Sequence, residues 1–532
     1  MQTYVESDYT TAERRVLSRH FTSVDGPAAA LTHLPDATRA ALFARYSRTA
    51  KPLKRVFLDE FYREGEDSSE TADVGVARAS DLFSRVLSDY GDDSVAQLAG
   101  VHVSCEQVSN LLTKVLERGR LMGYLEQSTR YVYYGDRPGG RYRYYRDPDL
   151  FAGPHAQEVE AALDGLFDAY ARVNDAVRDF LQADIPAEDA AARRAARAAA
   201  LDVSRGLLPA ATASNVGIFG SPQAYEQLVL RMRSHELPEA RHYAELLLAE
   251  LNKVIPDFLT RLERPERGGV WVEYRRERSD AMAAAAADLG LATPSTGPAT
   301  AQVRLLHWRP GAEDEIVANA LYAHSARSLE ELREVVRELP IERRVELFAA
   351  ALGTRRNRRH HPGREWESVD YEFEVVSDYG AFRDLQRHRL LTIEWQHLGP
   401  ELGFDIPAEA QAAAVDRVWS DAVARAEAVY AALSAGNPAQ AQYLMTMGHR
   451  MRYVMRMNAR EAMHLIELRS SPQGHPNYRR IAQQMHTLIR DVAGHRLVAD
   501  AMKFVNQDDV HLGRLEAEQR VESRDAAPQG ST

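Results

Sequence analysis

The stretch Arg118-Gly-Arg-Leu-Met-Gly-Tyr-Leu-Glu-Gln-Ser-Thr-Arg-Tyr131 brings three arginines, a carboxylate and a hydroxyl close together in sequence. Arginine suits phosphate groups because its planar fork donates two hydrogen bonds at once. Ser128 alone would indicate no more than the cap of a turn or helix. Together with the arginines and Glu126, it forms a pattern of a length that rarely matches by chance.

Two further patterns follow in the same half of the chain. Arg205-Gly-Leu-Leu-Pro209 places an arginine before a Leu-Pro turn, and Leu230-Arg231 leads into His235 and Glu239. Together with the opening stretch, these patterns resemble the flavin-dependent thymidylate synthases. The signature of that family reads Arg-His-Arg and then a Ser, with a Glu two positions before the Ser and an Arg-Tyr after it. The resemblance covers most of the first half.

The second half repeats the same order of features. Arg387-His388-Arg389 is an intact Arg-His-Arg triplet, and Asn458 precedes Leu468-Arg469 at the spacing of the family. Each half also has an early helical segment of similar sequence, Ala41-Leu-Phe-Ala44 and Ala320-Leu-Tyr-Ala323. Because a repeated order of motifs implies a repeated architecture, the chain is expected to contain two copies of one fold.

The two halves have lost different parts of the signature. The second half has His397 and Gly399 where the pattern has Ser and Arg, and the arginine before Leu-Pro falls at about Gln442. The first half has Gly119 in place of the motif histidine. The losses are therefore complementary, with the nucleotide end kept in one half and the flavin end in the other.

The segment from Gly290 to Gln302 consists of small and turn-forming residues without apolar periodicity, which is typical of a linker. We predict an α+β fold built as two tandem domains of mixed helix and sheet with long amphipathic helices. Strands are expected around residues 55–61, 131–134 and 371–376. The predicted boundaries are residues 1–265 for the first domain, 266–301 for the linker, 302–514 for the second domain and 515–532 for a disordered tail.

The resemblance also implies roles for individual positions. It implies that FAD is bound by Arg387, His388, Arg389 and Asn458, with Arg118 and Arg120 as weaker counterparts. It implies that dUMP is bound by Glu126, Gln127, Ser128, Arg130 and Arg205, and that Arg231 and Arg469 are catalytic, with Arg231 polarising the uracil. No metal site is expected, because Pro362 and Gly363 separate His361 from Glu365.

The chemistry implied by the resemblance is the methylation of dUMP to dTMP, with NADPH and methylenetetrahydrofolate as co-substrates. It needs no protein nucleophile, and the presence of one cysteine is compatible with that. Cys105 lies in an alternating apolar stretch, where a buried structural thiol is expected. Active sites of the family lie between subunits of a homotetramer. A homodimer of this two-domain chain would form an equivalent pseudo-tetramer.

Composition limits the remaining classes of function. Hydrophobic residues make up 45% and charged residues 27% of the chain, which is typical of a globular protein. The sequence contains no stretch of transmembrane length and no recognisable signal segment at its start, so a cytoplasmic protein is expected. A net charge of -11 argues against general binding to nucleic acid.

Two alternatives stay open at this point. One is a non-catalytic relative that binds flavin or nucleotide as a sensor or scaffold, because neither half has a complete motif. The other is a single-stranded nucleic-acid binder that would use the tyrosines and arginines between Tyr131 and Arg146 as a stacking platform.

Overall fold

The structure is a computed structural model, and it describes residues 8–47, 49, 51–62, 97–291 and 300–508. The tail predicted at 515–532 lies outside these residues. The chain forms two compact units that interleave along the sequence. The first unit contains residues 1–106, 121–126 and 215–293, and the second unit contains residues 107–120, 127–214 and 294–532. No helix within the described residues is long and apolar enough to cross a membrane.

The first unit is rich in helices. They span Thr11–His20, Asp36–Tyr46, Leu53–Val56, Pro222–Arg233, Pro238–Leu251, Pro256–Glu263 and Val270–Asp288, with π-helical turns at Phe57–Phe61 and Pro265–Gly269. The strand predicted for 55–61 was wrong. Phe57 and Phe61 are both buried while Asp59 and Glu60 between them are not, which is the spacing of a helical turn.

The segment predicted as a linker, 266–301, contains the helix Val270–Asp288. Its alanine-rich sequence explains the helix, because alanine has the highest helix propensity of the amino acids. The predicted domain limits remain a prediction.

A three-stranded sheet contains β1 (Val101–Ser109), β2 (Met122–Glu126) and β3 (Ala213–Gly220) in the order β1-β3-β2. Strands β2 and β3 are antiparallel, with Met122 opposite Gly220. Cys105 on β1 is 3% exposed, and burial raises the pKa of its thiol to about 12. The expected buried structural thiol is confirmed.

The second unit contains a four-stranded antiparallel sheet. Its strands are β4 (Gln302–Trp308), β5 (Asp370–Asp378), β6 (Leu391–Trp395) and β7 (Arg450–Asn458), in the order β4-β5-β7-β6. The strand predicted for 371–376 lies within β5 and is confirmed. The strand predicted for 131–134 was wrong, because this segment is irregular and the backbone N–H of Tyr134 donates to the Tyr170 hydroxyl at 3.3 Å.

The second unit also contains many helices, several of which connect the strands of this sheet along the sequence. They span Asn110–Leu116, Pro148–Ala152, Ala156–Gln182, Ala190–Ser204, Ala312–Tyr322, Leu329–Glu338, Ile341–Leu352, Tyr379–Leu385, Ala408–Ala412, Asp416–Ser434, Pro438–Ala441, Ala459–Arg469, Pro476–Asp491 and Arg496–Ala501. Short 3-10 turns lie at Pro138–Gly140, Arg205–Leu207, Arg364–Ser368 and Gln442–Leu444. The helix Pro476–Asp491 buries Ile481, Met485 and Ile489 on one face, as expected of an amphipathic helix.

The internal repeat is visible element by element. β1 continues into the helix Asn110–Leu116 and then β2, and β5 continues into the helix Tyr379–Leu385 and then β6. The strand order β5-β7-β6 repeats the order β1-β3-β2. Each half later has a 3-10 turn that leads to β3 or β7 and a helix after that strand. The α+β fold of two similar halves is therefore confirmed.

The two 3-10 turns pair with each other inside the second unit. The backbone N–H of Met447 donates to the Leu208 carbonyl at 2.9 Å, and that of Ala210 donates to the Met445 carbonyl at 2.7 Å. Gly206 is required beside them, since a Cβ there would lie 2.7 Å from the ring of Trp419. The repeat thus brings the segment that holds Arg205 into direct contact with its counterpart.

Candidate functional site

Three arginines surround the carboxylate of Asp384 in the second unit. Their shortest nitrogen to oxygen distances are 3.5 Å for Arg387, 3.7 Å for Arg205 and 3.9 Å for Arg469. Asp384 lies near the end of the helix Tyr379–Leu385, and Arg205 and Arg469 lie where their helices end. We call these four residues the Asp384 cluster.

The cluster keeps Asp384 charged. Burial raises the pKa of this carboxyl, but the positive charges of Arg387, Arg205 and Arg469 outweigh that effect and leave the pKa lowered. Burial lowers the pKa of Arg205, although Asp384 acts in the opposite direction. Three positive charges therefore face the one negative charge of Asp384.

Arg205 has an unused donor. It is 4% exposed, and its Nη2 has no hydrogen-bond partner among the described residues. A buried donor without a partner costs about 1–3 kcal/mol. A ligand oxygen at this position would recover that energy.

The unpartnered arginine lines a cavity of about 770 Å³, within the usual size range of small-molecule sites. The buried indole N–H of Trp419, which lines the same cavity, also lacks a partner within the described parts of the chain. Burial, together with the charge of Arg205, lowers the pKa of His475 to about 3, so its imidazole is neutral. The cavity is also lined by Asp202, Asp378, Asp405, Glu409, Arg130 and Arg480.

Arg130 is already engaged by the protein. Its Nε and Nη2 donate to the two carboxylate oxygens of Asp202 at 2.7 and 2.9 Å, and its Nη1 donates to the Tyr478 hydroxyl at 3.0 Å. The hydroxyl of Ser128 accepts from the backbone N–H of Arg130 at 3.2 Å. Ser128 therefore shapes the turn before Arg130, and Asp202 fills the fork that the resemblance assigns to the nucleotide.

His388 lies between an acid and an arginine. Its Nδ1 is 2.8 Å from Oε1 of Glu461, and its Nε2 accepts from Nε of Arg469 at 3.0 Å. Asn458 caps the helix Ala459–Arg469, because its side-chain oxygen accepts from the backbone N–H of Glu461 at 2.9 Å. The predicted flavin residues His388 and Asn458 are thus tied to the same short helix.

The flanking arginines of the two triplets lie near one another. Arg118 contacts Glu394 at 2.5 Å and stacks over the Trp395 ring at 4.9 Å, while Arg120 donates to the Thr392 hydroxyl at 2.9 Å. A cavity of about 130 Å³ is lined by Arg118, Arg120, His388 and Arg389. This volume is below the roughly 300 Å³ at which small-molecule pockets begin, so the cavity does not enclose a flavin.

The remaining predicted residues are divided between the units. Glu126 lies on β2 and Arg231 lies in the last turn of the helix Pro222–Arg233, both in the first unit. Gln127 belongs to the second unit. Arg231 and its counterpart Arg469 thus belong to different units.

Gln442 occupies the position in the second half that corresponds to Arg205, and both ends of its side chain are hydrogen-bonded within the protein. The side-chain oxygen of Gln442 accepts from the backbone N–H of Leu398 at 3.0 Å, and its nitrogen donates to the Ala439 carbonyl at 3.1 Å. A neutral side chain with both ends satisfied has replaced a charged donor. His397 is exposed.

The segment between Tyr131 and Arg146 does not form an open stacking platform. Tyr134, Tyr142 and Tyr144 are buried in the protein, which leaves Tyr131 and Tyr133 as the exposed tyrosine rings near the start of the segment. Three of the four arginines of this segment pair with acidic side chains, as in Arg137 with Asp168 at 2.8 Å. The nucleic-acid alternative therefore loses the observation on which it depended.

Sequence reasoning missed three groups that shape the site, Asp202, Asp384 and Glu461. Only Asp384 lies close in sequence to an arginine that it pairs with, because Arg387 follows it by three positions. Asp202 pairs with Arg130, and Glu461 contacts His388, each more than 70 positions away in sequence.

One group within the described residues has the spacing of a metal site. His388, Glu461 and His464 each place one ligand atom within 4.8 Å of the others. Burial lowers the pKa of His464, and burial likewise lowers that of His361, whose ring centroid is 5.2 Å from that of His464. Two histidines and a carboxylate are a ligand set that several divalent metals accept.

Comparison with known proteins identifies the repeat. A family model described as thymidylate synthase complementing protein matches residues 31–257 and again residues 304–494. The chain is 36% identical to a UPF0159 protein of Chlamydia pneumoniae over 97% of this chain and 99% of that protein. It is 30% identical to a UPF0159 protein of Thermoplasma acidophilum over 91% of this chain and 98% of that protein.

Two solved structures are similar to part of the chain. One is a UMP/dUMP methylase from Streptomyces cacaoi bound with 5-Br dUMP, with 19% identity and a TM-score of 0.32 over 39% of this chain and 97% of the other. The second is thymidylate synthase X from Helicobacter pylori with FAD and dUMP, with 17% identity and a TM-score of 0.29 over 38% of this chain and 100% of the other.

Proposed function

The chain belongs to the thymidylate synthase complementing protein family, and from this premise we propose that it is an FAD-dependent thymidylate synthase-like enzyme. Its reaction would be the methylation of dUMP to dTMP with methylenetetrahydrofolate and NADPH. The observation that carries the proposal is the buried, unpartnered Nη2 of Arg205 beside a cavity of about 770 Å³. A phosphate oxygen is the ligand atom that such a donor suits best.

Each half would contribute to one site. Arg205 from the first half would bind the nucleotide phosphate, while Arg469 from the second half would polarise the uracil. Their common contact with Asp384 supports this division, because one carboxylate holds both guanidinium groups in place. Fixed donors that are already oriented lower the barrier more than donors that must reorganise during the reaction.

The flavin would be held in part by Arg387 and Arg389, with Arg118 and Arg120 nearby. When bound, a flavin supplies the hydride that completes the methyl group. Arg387 and Arg389 are exposed, which suits contact with a ligand outside the small cavity that Arg389 lines. Because that cavity is too small for a flavin, we propose that a second copy of the chain completes the site in a homodimer.

A second candidate is a non-catalytic relative that binds nucleotide or flavin as a sensor or scaffold. The bidentate pair between Arg130 and Asp202 favours it, since an internal carboxylate occupies the fork that the substrate would use. The two candidates differ in turnover and not in ligand class.

The proposal is tested by titrating the purified chain with FAD and with dUMP, and by rescue of a thymidine auxotroph. We expect both ligands to bind and Arg205→Ala to abolish dUMP binding. Arg197→Ala, an exposed arginine on the helix that precedes Arg205, is the matched control and should bind normally. Absence of binding for both ligands would contradict the proposal, and binding without rescue would favour the second candidate.

A further inference from the structure

Glu461, His388 and Arg469 form a continuous hydrogen-bonded chain in the second unit. Glu461 contacts Nδ1 of His388 at 2.8 Å, and Nε2 of His388 contacts Nε of Arg469 at 3.0 Å. Glu461 is 5% exposed and His388 is 7% exposed. Buried polar chains of this kind fix the orientation of their members, because each group loses a partner if another one turns away.

The protonation of His388 follows from its partners. The Nε of an arginine can only donate a hydrogen bond, so Nε2 of His388 must present its lone pair. The single proton of the neutral ring then lies on Nδ1, which donates it to Glu461. Burial and the nearby charge of Arg469 lower the pKa of His388 well below its ordinary value, so the ring is neutral near pH 7.

This proton arrangement argues against His388 as a metal ligand. The group with His464 has suitable spacing, but the atom of His388 that faces Glu461 is Nδ1, which carries the proton. Its other nitrogen is taken by Arg469. Binding a cation here would break the bond to Arg469 and place a second positive charge beside it.

The same arrangement leaves neither ring nitrogen of His388 open for a hydrogen bond to a flavin. Both ring nitrogens have partners within the second unit, whereas the flanking Arg387 and Arg389 are exposed. The middle residue of the triplet therefore faces inward while its neighbours face outward. The first half has Gly119 at this position, so the chain contains one such relay among the motif residues of its two halves.

We propose that Glu461 and His388 are positioning residues that hold Arg469 in the orientation it needs toward the bound nucleotide. This inference rests on the proposed function, since it assigns Arg469 a contact with dUMP. Arg469 is held on its other side by Asp384 at 3.9 Å and by the ring of Tyr478 at 5.5 Å. The guanidinium is thus fixed from several directions before any ligand enters.

The first test reads the proton position directly in the full-length protein. Nitrogen NMR of protein labelled at histidine, with His388→Gln to assign its signals, distinguishes the two neutral tautomers and the imidazolium. We expect His388 at pH 7.5 to carry its proton on Nδ1, with Nε2 unprotonated. A proton on Nε2, an imidazolium, or a metal bound to this ring in the purified protein would overturn the proposal. This reading does not depend on whether dUMP binds.

The second test is a double-mutant cycle on dUMP binding in the presence of FAD. We expect Glu461→Ala and Arg469→Ala each to weaken binding by roughly tenfold, and the double variant to bind no more weakly than Arg469→Ala alone. Glu461→Gln keeps an acceptor oxygen and should restore binding to within about threefold of the wild type. If the double variant loses dUMP affinity by the product of the two single losses, the two residues act independently and the proposal is overturned. If the wild-type protein binds no dUMP, the proposed function fails and the role of Arg469 toward the nucleotide fails with it. A wrong tautomer in a protein that binds dUMP overturns the positioning role alone.

Discussion

The two 3-10 turns of the repeat share a backbone and differ in chemistry. Arg205–Leu207 and Gln442–Leu444 lie at the same place in each half and hydrogen-bond to one another through the segments that follow them. Arg205 keeps a buried donor without a partner in the described structure, while both ends of Gln442 are satisfied by backbone groups. The repeat has thus preserved the backbone of the turn and kept the buried positive charge in one copy.

The same contrast applies to the two arginine triplets. In the second half His388 is buried between Glu461 and Arg469, whereas in the first half Gly119 stands at that position and Arg118 contacts β6. Under the proposed function, one composite site has been kept from two. Substitutions at matched positions in the two halves should therefore have very unequal effects.

Substitution of the two turn residues should give the largest effect. Arg205→Gln is expected to weaken dUMP binding on the order of a hundredfold, because truncating a buried charged contact costs about 3 kcal/mol. At the counterpart position, Gln442→Ala should leave dUMP binding within about twofold of the wild type, because both ends of Gln442 bond to backbone groups. Isothermal titration with dUMP measures both, and equal losses would refute the asymmetry.

The charges at the two ends of one helix should respond oppositely to acid. Asp378 and Asp384 begin and nearly end the helix Tyr379–Leu385. Burial raises the pKa of Asp378, whereas the arginines leave that of Asp384 lowered despite burial. The unfolding free energy contributed by Asp384 is therefore present above its ordinary pKa of 3.8 and is lost as the pH falls below it.

We expect Asp384→Asn to reduce the free energy of unfolding by about 3 kcal/mol at pH 7, because it leaves the buried arginines without their counter-charge. Asp378→Asn should reduce the free energy of unfolding by less at pH 7, because burial already disfavours the charged form of Asp378. That unfavourable contribution is removed when Asp378 is protonated as the pH falls. Urea unfolding at pH 7 and at a pH below 3.8 measures both changes. A stability loss at Asp378 that matches that at Asp384 at pH 7 would contradict the charge assignment.

Release of Arg130 should give a smaller effect of opposite sign. Asp202→Asn removes the charge that occupies the guanidinium fork, and we expect dUMP to bind about fivefold more tightly, equivalent to roughly 1 kcal/mol. Asp175→Asn, at an exposed aspartate, is the control. If Asp202→Asn weakens binding instead, Asp202 orients Arg130 for the ligand and does not compete with it.

The smallest effect on ligand binding is expected at the first-half triplet, Arg118-Gly119-Arg120. The ion pair between Arg118 and Glu394 is largely exposed, and pairs of this kind stabilise proteins by less than about 1 kcal/mol. Arg118→Ala should therefore alter thermal stability little and weaken FAD binding less than Arg387→Ala does. Flavin fluorescence titrations of the two variants make the comparison, and a greater loss at Arg118 would reverse the assigned roles of the halves.

Much of the architecture could be predicted from the sequence, because repeated motifs at regular spacing indicate a repeated fold. The Arg-His-Arg triplet and the motif that begins at Arg205 contain arginines that the second unit brings together at Asp384. The strand predicted at 55–61 failed because its aromatic residues suggested a strand, while their spacing fits a helical turn.

The partners of the site residues could not be predicted in the same way. His388 is hydrogen-bonded to Glu461, and Arg130 is hydrogen-bonded to Asp202. The two residues of each pair are far apart in sequence. No local periodicity reports such contacts, because they arise only when helices from different parts of the chain pack together. Motif resemblance therefore indicated which side chains matter, and tertiary contacts determined whether each one is available to a ligand.

If two incomplete halves form one working site, the chain should release tritium from dUMP labelled at the uracil C5. With FAD, NADPH and methylenetetrahydrofolate present, we expect tritium release by the wild-type chain, its loss in both Arg205→Gln and Arg469→Ala, and its retention in Gln442→Ala. Binding of dUMP and FAD by the wild-type chain without any release of tritium would contradict this expectation.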